Sequence, residues 1–224
     1  MAQYKPVYMF TDDANELAAE LKKEGKALKD LLGGKGANLN IMMTLGVPVP
    51  PGFTVTTEQC IAYTKAGNKF PAGLEKEIDR CTAELEKQTG KKFGDPSNPL
   101  LVSVRSGARE SMPGMMDTVL NIGMNDVVAE AMVKATGNER FVFDAYRRLI
   151  MMFGDVVMGV KRHAFEECLD QVKQEEGVKE DTEVSAAGLR RVVELEKKVY
   201  RKDLGHAFPQ DARDQLMAGV RAVF

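Results

Sequence analysis

"NPLLVSVRSGARESMPGMMDTVLNIG", residues 98–123, contains the turn on which the reading of the fold depends. NPLLVSVRSGA (98–108) reads as a buried strand, and TVLNIG (118–123) reads as a second one. Glycine and proline between two strands predict a hairpin, here with an extended tip. The tip, SVRSGARESMPGMMDT (103–118), packs two arginines, two glycines, a proline and three methionines into sixteen positions. A core would exclude the arginines, and a plain surface loop would not need the methionines. Something is expected to sit against it.

Toward the N-terminus, VYMF (7–10) reads as a first strand. KALKDLLGGKGANLNIMMTLG (26–46) holds a helix that starts near the glycines and stops at Gly46. VPVPPGFTVTT (47–57) carries three prolines, a short β-rich run and a helix start near Thr57. In PAGLEKEIDRCTAELEKQTG (71–90), Leu74, Ile78, Cys81 and Leu85 share one helical face and Gly90 fits the C′ position. Cys81 on that face reads as a small core residue.

Toward the C-terminus, residues 125–204 read as helical almost throughout. Phe141, Ala145, Leu149, Met152 and Val156 form an apolar stripe. HAFEECLDQVKQEEG (163–177) ends at a glycine, and SAAGLRRVVELEKKVY (185–200) starts at a Ser185 N-cap. PQDARDQLMAGVRAVF (209–224) puts Leu216, Val220 and Val223 on one side and stops at Phe224 without a cap or polar tail, so the chain is read as the front piece of something longer. The predicted class is α+β: a mixed part (1–124 with 205–224) and an all-helical part (125–204).

Composition narrows the function. The chain has 224 residues, 44% of them hydrophobic, enough for one large globular domain or two small ones. A net charge of −2 lacks the basic excess of nucleic-acid modules. Cys60, Cys81 and Cys168 are odd in number and form no CxxC, which predicts reduced thiols and a cytoplasmic location. MAQYKPVYMF has no apolar signal region. FVFDAYRRLIMMFGDVVMGV (141–160) is interrupted by Asp144, Arg147, Arg148 and Asp155, which argues against a membrane span.

Two stretches could carry chemistry. In LLGGKGANL (31–39), Gly33, Gly34 and Gly36 surround Lys35. Glycines let a backbone approach a ligand, a following helix adds its positive end, and the lysine supplies a mobile point charge for phosphate. The GxxxxGK[ST] spacing is absent, and a tight turn with an exposed lysine fits the same residues. In the hairpin tip, Arg105 ends the strand and Arg109 follows. Arginine binds phosphate through a fixed fork. Ser106, Ser111, Asp117 and Thr118 add polar groups, while Gly107, Pro113 and Gly114 shape a loop able to close. Met112, Met115 and Met116 either pack on a flat base or cap the core. His163 and His206 lack metal-ligand spacing, so no metal site is expected in this chain. Tyr146, Arg147 and Arg148 suit structural salt bridges.

In order along the chain, "LLGGKGANL", "LGVPVPPGFTVTTEQC", "GKKFGDPSNPLLVSVRSGARESMPGMMDTVLNIG", "FVFDAYRRLIMMFGDVVM" and "FPQDARDQLMAGVRAVF" resemble the N-terminal nucleotide-binding region of the pyruvate, phosphate dikinase family. The resemblance covers essentially the whole chain. Phosphoenolpyruvate synthases share a GGK loop and a VRSS-like strand but lack the SMPGMMDT pattern.

The resemblance implies an ATP-grasp-like lobe at 1–124 with 205–224, beside a helical subdomain at 125–204. It implies ATP as cofactor, with Mg²⁺ held by carboxylates beyond this chain. Lys35 and Arg105 match the catalytic lysine and arginine on the ATP phosphates. Gly33, Gly34, Gly36 and Ser106 flank them as nucleotide-binding residues, and Gly114, Met115, Asp117 and Thr118 match the loop over the nucleotide. In the family, a swivelling phosphohistidine domain carries the β-phosphate to a pyruvate-binding barrel, and the full-length protein is a homodimer. Those parts and the second ATP-grasp lobe fall after the last residue here, so the chain is expected to form one wall of the site and not to turn over alone. Two alternatives stand: part of a phosphoenolpyruvate synthase or related dikinase, or a non-catalytic helical interaction module whose GGK and SVRS segments are ordinary turns.

Overall fold

A computed structural model describes residues 4–107 and 118–224. Helices dominate, with three two-stranded sheets among the described residues, an α+β arrangement. None of the described helices is long and apolar enough to cross a membrane. The chain forms two compact units. The first takes the described residues up to Lys91 together with Ser106, Gly107 and Phe224; the second takes Lys92–Arg105 and Thr118–Val223.

In the first unit, β1 (Val7–Met9) pairs antiparallel with β2 (Phe53–Val55), in the register Val7↔Val55, Tyr8↔Thr54 and Met9↔Phe53. Four helices accompany them: α1 (Ala14–Lys23), α2 (Leu28–Thr44), α3 (Thr57–Lys65) and α4 (Leu74–Thr89). The Asp13 carboxylate caps α1, accepting from the Asn15 and Glu16 amides at 2.8 and 3.2 Å. Tyr8, Leu17, Leu21, Leu28, Leu31 and Leu32 form the core between α1, α2 and β1. On α4, Leu74, Ile78, Cys81 and Leu85 are buried, and Gly90 ends the helix in the left-handed conformation, both as the spacing predicts.

In the second unit, β3 (Lys92–Phe93) pairs parallel with β4 (Pro99–Leu100). β5 (Val102–Val104) pairs antiparallel with β6 (Val119–Ile122), so the predicted hairpin is present, with a register irregularity between Val102↔Ile122 and Val104↔Val119. The single strand expected at 98–108 is instead the two short pieces β4 and β5, and the hairpin tip lies outside the described residues.

The helices of this unit are α5 (Asp126–Thr136), α6 (Glu139–Met152), α7 (Arg162–Glu176), α8 (Ala186–Leu204) and α9 (Ala212–Val223). A π-helical turn, Phe153–Val157, extends α6. The buried face of α6 is not the expected stripe. Phe141 is 57% exposed, and Val142, Phe143, Tyr146, Leu149 and Ile150 face inward. Phe141 lies in the first turn after the Asn138 cap.

Ser185 caps α8 as expected, its hydroxyl accepting from the Gly188 amide at 2.9 Å. Tyr146, Phe153, Tyr200 and Phe208 form a buried aromatic cluster with ring centroids 5.5–6.5 Å apart. Gln215 on α9 is fully buried. Its carbonyl accepts from the Gly123 amide at 2.8 Å, and its amide donates to Met124 O and Pro209 O at 2.9 and 2.8 Å. Gly219 lets α9 lie close to the hairpin: a Cβ there would stand 3.2 Å from Ile122 and 3.4 Å from Val104. Packing thus groups β3 to β6 and α9 with the helical stretch, a different partition from the functional one expected at 1–124 with 205–224 and 125–204.

Candidate functional site

The glycine-rich turn lies inside α2. Gly33 has φ 68° and ψ 170°, values that only glycine adopts readily, and they break the helix there. A fresh helical run therefore begins at Gly34, six residues after α2 starts at Leu28 and in the predicted position near the glycines. The first N–H groups of any helical run lack an intrahelical acceptor and point along the axis, where the helix dipole favours an anion. Gly34, Lys35 and Gly36 occupy that first turn. Lys35 is exposed and Gly36 is buried.

Three contacts fix this turn within the first unit. A Cβ on Gly36 would stand 2.6 Å from Thr54 Oγ1, so the helix rests directly on β2. Asn40, one turn further on and 1% exposed, donates through Nδ2 to Phe10 O at 3.0 Å and Asp12 O at 2.7 Å. A Cβ on Gly33 would fall 1.5 Å from the carbonyl oxygen of Gly107, so the turn's backbone meets the segment that follows β5. Ser106, half-buried, precedes Gly107 in that segment.

In the second unit, Arg105 leaves β5 after the buried Val104 and is exposed, and Thr118 stands half-buried just before β6. The Val104↔Val119 pairing places Arg105 and Thr118 at the same end of the hairpin. Gly114, Met115 and Asp117, together with Arg109, Ser111, Met112, Pro113 and Met116, lie outside the described residues.

No group of three or more His, Cys, Asp or Glu able to hold a metal ion occurs among the described residues. His163 pairs with Glu167 at 3.1 Å on an exposed face, and His206 stacks edge-on to Tyr200. Cys60, Cys81 and Cys168 are free thiols, and burial pushes Cys168 up to about 11.

A second polar cluster lies in the helical unit, at a cavity of about 330 Å³ lined by Arg147, Arg148, Arg162, Phe165, Asp181 and Glu196. Arg147 is 3% exposed and bonds Asp144 at 2.7 Å, with Asp181 at 3.5 Å. Arg148 also pairs with Asp144, at 2.9 Å, and Arg162 pairs with Glu166 at 3.1 Å. Each arginine has an acidic partner, and the Tyr146 hydroxyl donates to Asp126 at 2.7 Å. The structural reading of Tyr146, Arg147 and Arg148 holds. Glu196, 1% exposed, was not singled out by sequence. Burial raises its carboxyl well above the carboxylate range, with Arg147 opposing that rise. Its place on the stripe Leu189, Val192, Val193, Glu196, Tyr200 was the available signal. Gly107 reads in sequence as shaping a loop able to close, but its contact with Gly33, a tertiary one, leaves no local signal.

The family described as "Pyruvate phosphate dikinase, AMP/ATP-binding domain" matches residues 29–69 and 66–170. Pyruvate, phosphate dikinase of Clostridium symbiosum is 52% identical over 204 residues, covering 90% of this chain and 23% of that protein. The chloroplastic pyruvate, phosphate dikinase 1 of Arabidopsis thaliana is 51% identical over 204 residues, covering 91% of this chain and 21% of its own length. The Rhizobium meliloti enzyme is 50% identical over 196 residues, covering 88% and 22% respectively. The chain spans about a fifth of the length of these relatives.

Proposed function

Because this chain belongs to the pyruvate phosphate dikinase AMP/ATP-binding domain family, we propose that it is the N-terminal, ATP-binding part of a pyruvate, phosphate dikinase. The reaction of the whole enzyme in this reading is ATP, phosphate and pyruvate to AMP, diphosphate and phosphoenolpyruvate. The residues 1–124 with 205–224 act as an incomplete ATP-grasp-like lobe, and 125–204 as a helical subdomain. The phosphohistidine domain and the pyruvate barrel of a homodimeric, cytoplasmic full-length protein are its partners. The fragment alone does not turn over.

The observation that carries this reading is the break of α2 at Gly33, which starts a helical run at the three-glycine turn. A triphosphate suits that turn: the run's first N–H groups and its dipole face negative oxygen, and Lys35 is exposed beside them. Lys35 supplies a point charge and Arg105 a planar fork, each holding developing charge on the phosphate oxygens. Gly33, Gly34, Gly36 and Ser106 bring backbone close to the nucleotide, and the segment Gly114–Thr118 covers it. In this reading Mg²⁺ accompanies ATP and is held by carboxylates beyond this chain. With ATP in place, the bound nucleotide supplies the phosphoryl group; this chain's part is to bind, orient and neutralise it.

Calorimetric titration of the 224-residue chain with MgATP tests the reading. Weak binding is expected, and Lys35→Ala or Arg105→Ala should each weaken it by a charge-assisted contact, about 1.5–3 kcal/mol. Undiminished binding in either variant would remove that residue from the site.

A further inference from the structure

We infer that Gly33 is a positioning residue: its contact with the Gly107 carbonyl is a backbone clasp that sets the spacing between the glycine-rich turn and the segment after β5. The inference rests on the nucleotide reading above, since each of the two segments carries residues assigned there to phosphate.

The clasp follows from geometry within the first unit. A side chain at Gly33 is excluded twice. The backbone has φ 68°, and an ideal Cβ would lie 1.5 Å from Gly107 O, 2.6 Å from its carbonyl carbon and 3.3 Å from its Cα. Those atoms are main chain and cannot rotate aside as a flexible side chain would. Gly36 differs: its Cβ direction points at the Thr54 side chain, 2.6 Å from Oγ1 and 2.8 Å from Cγ2. Gly36 therefore seats the helix on β2, whereas Gly33 sets the turn against the other segment. The contact is also one-sided. A Cβ on Gly107 would meet only Leu32 O, at an ordinary 3.9 Å. The close approach is thus permitted only by the missing Cβ at position 33, and any L side chain there must push Ser106 and Gly107 away from Gly34–Gly36. Displacements on the ångström scale are enough to cost large factors in binding or rate when charged groups must converge.

The test uses amide chemical shifts of Lys35, Gly36, Ser106 and Gly107 in the whole 224-residue chain during MgATP titration. In the wild type, both segments are expected to shift together with one affinity. Gly33→Ala should move the Ser106 and Gly107 amides before any nucleotide is added and weaken MgATP binding more than about tenfold. Because Gly33→Ala could unfold the chain, a second form carries alanine of D configuration at position 33, assembled by ligating a synthetic 1–59 thioester to a 60–224 segment that begins at Cys60. D-alanine accepts a positive φ and directs its methyl away from Gly107, so this form is expected to keep the wild-type shifts and affinity. Equal loss in the D form, or an L form with wild-type affinity and unmoved Ser106 and Gly107 amides, overturns the clasp alone. A wild-type chain with no response in either segment at millimolar MgATP overturns the nucleotide reading, and the clasp with it.

Discussion

Glu196 shows what a single residue does to this fold. Its carboxyl is buried on the helical face that also presents Val192, Val193 and Tyr200, and it is held well above the usual carboxylate range by that burial. Arg147 partly offsets the rise, while Asp144 and Asp181 balance Arg147. Above the ordinary glutamate value the unfolded chain releases a proton that the folded chain keeps. The corresponding stability is full at low pH and is lost as pH climbs through the raised value. Glu196→Gln removes this titration. Urea unfolding of the two proteins should coincide near about pH 4 and separate toward about pH 8, with the glutamine variant the more stable. A difference that stays constant with pH would show that Glu196 does not titrate as described. The charge of Glu196 argued for solvent, its spacing argued for the core, and spacing decided. Lys35 and Arg105 were conspicuous in sequence for the opposite reason, as charged residues beside glycines or at a strand's end, and both are exposed in the structure. Gly107 reads as part of a loop able to close, but its contact with Gly33 leaves no local pattern, because it joins two segments distant in sequence.

Elements with a cap were the most legible. Ser185, Gly90 and Gly177 all sit at helix ends, where side-chain oxygen or left-handed glycine satisfies backbone groups. Ser185→Ala should cost about 1 kcal/mol, read as a fall in melting temperature of roughly 2–4 °C. An unchanged melting point would mean that the Gly188 amide finds another acceptor. The face of α6 was misread because Leu149 belongs to both the expected stripe and the true one, and the other members do not. The π turn at Phe153–Val157 then carries the chain on with a different phase, leaving Val156 half-buried. α9 depends on Gln215, whose three hydrogen bonds join it to the residues after β6 and before its own start. Gln215→Ala leaves buried partners unpaired and should lower stability by about 3 kcal/mol in urea unfolding. A loss below about 1 kcal/mol would mean that water replaces the amide.

At the scale of the molecule, folding and binding are expected to fall to different residues under the nucleotide reading proposed above. Lys35 and Arg105 are exposed, so their alanine variants should unfold within about 0.5 kcal/mol of the wild type while losing nucleotide affinity. A large fall in stability in either would assign that residue to the fold instead. The α+β class was readable from the order of strand-like and helical runs. The grouping of the hairpin with the helices was not, because it depends on β6 packing against α6, where Asn121 Nδ2 donates to Ala145 O across the sequence.

The first unit is discontinuous, and this has a bearing on how it is made. Gly33 meets Gly107 across 107 − 33 = 74 positions of sequence. At about 5–20 residues per second of translation, the turn waits roughly 4–15 s for its partner to be synthesised. Until then α1, the rest of α2 and α4 can assemble, but the glycine-rich turn is open on one side. A nascent chain stalled before residue 106 would present that turn with no opposing backbone; the turn is walled only once the segment after β5 has been made, and Phe224 joins the unit later still.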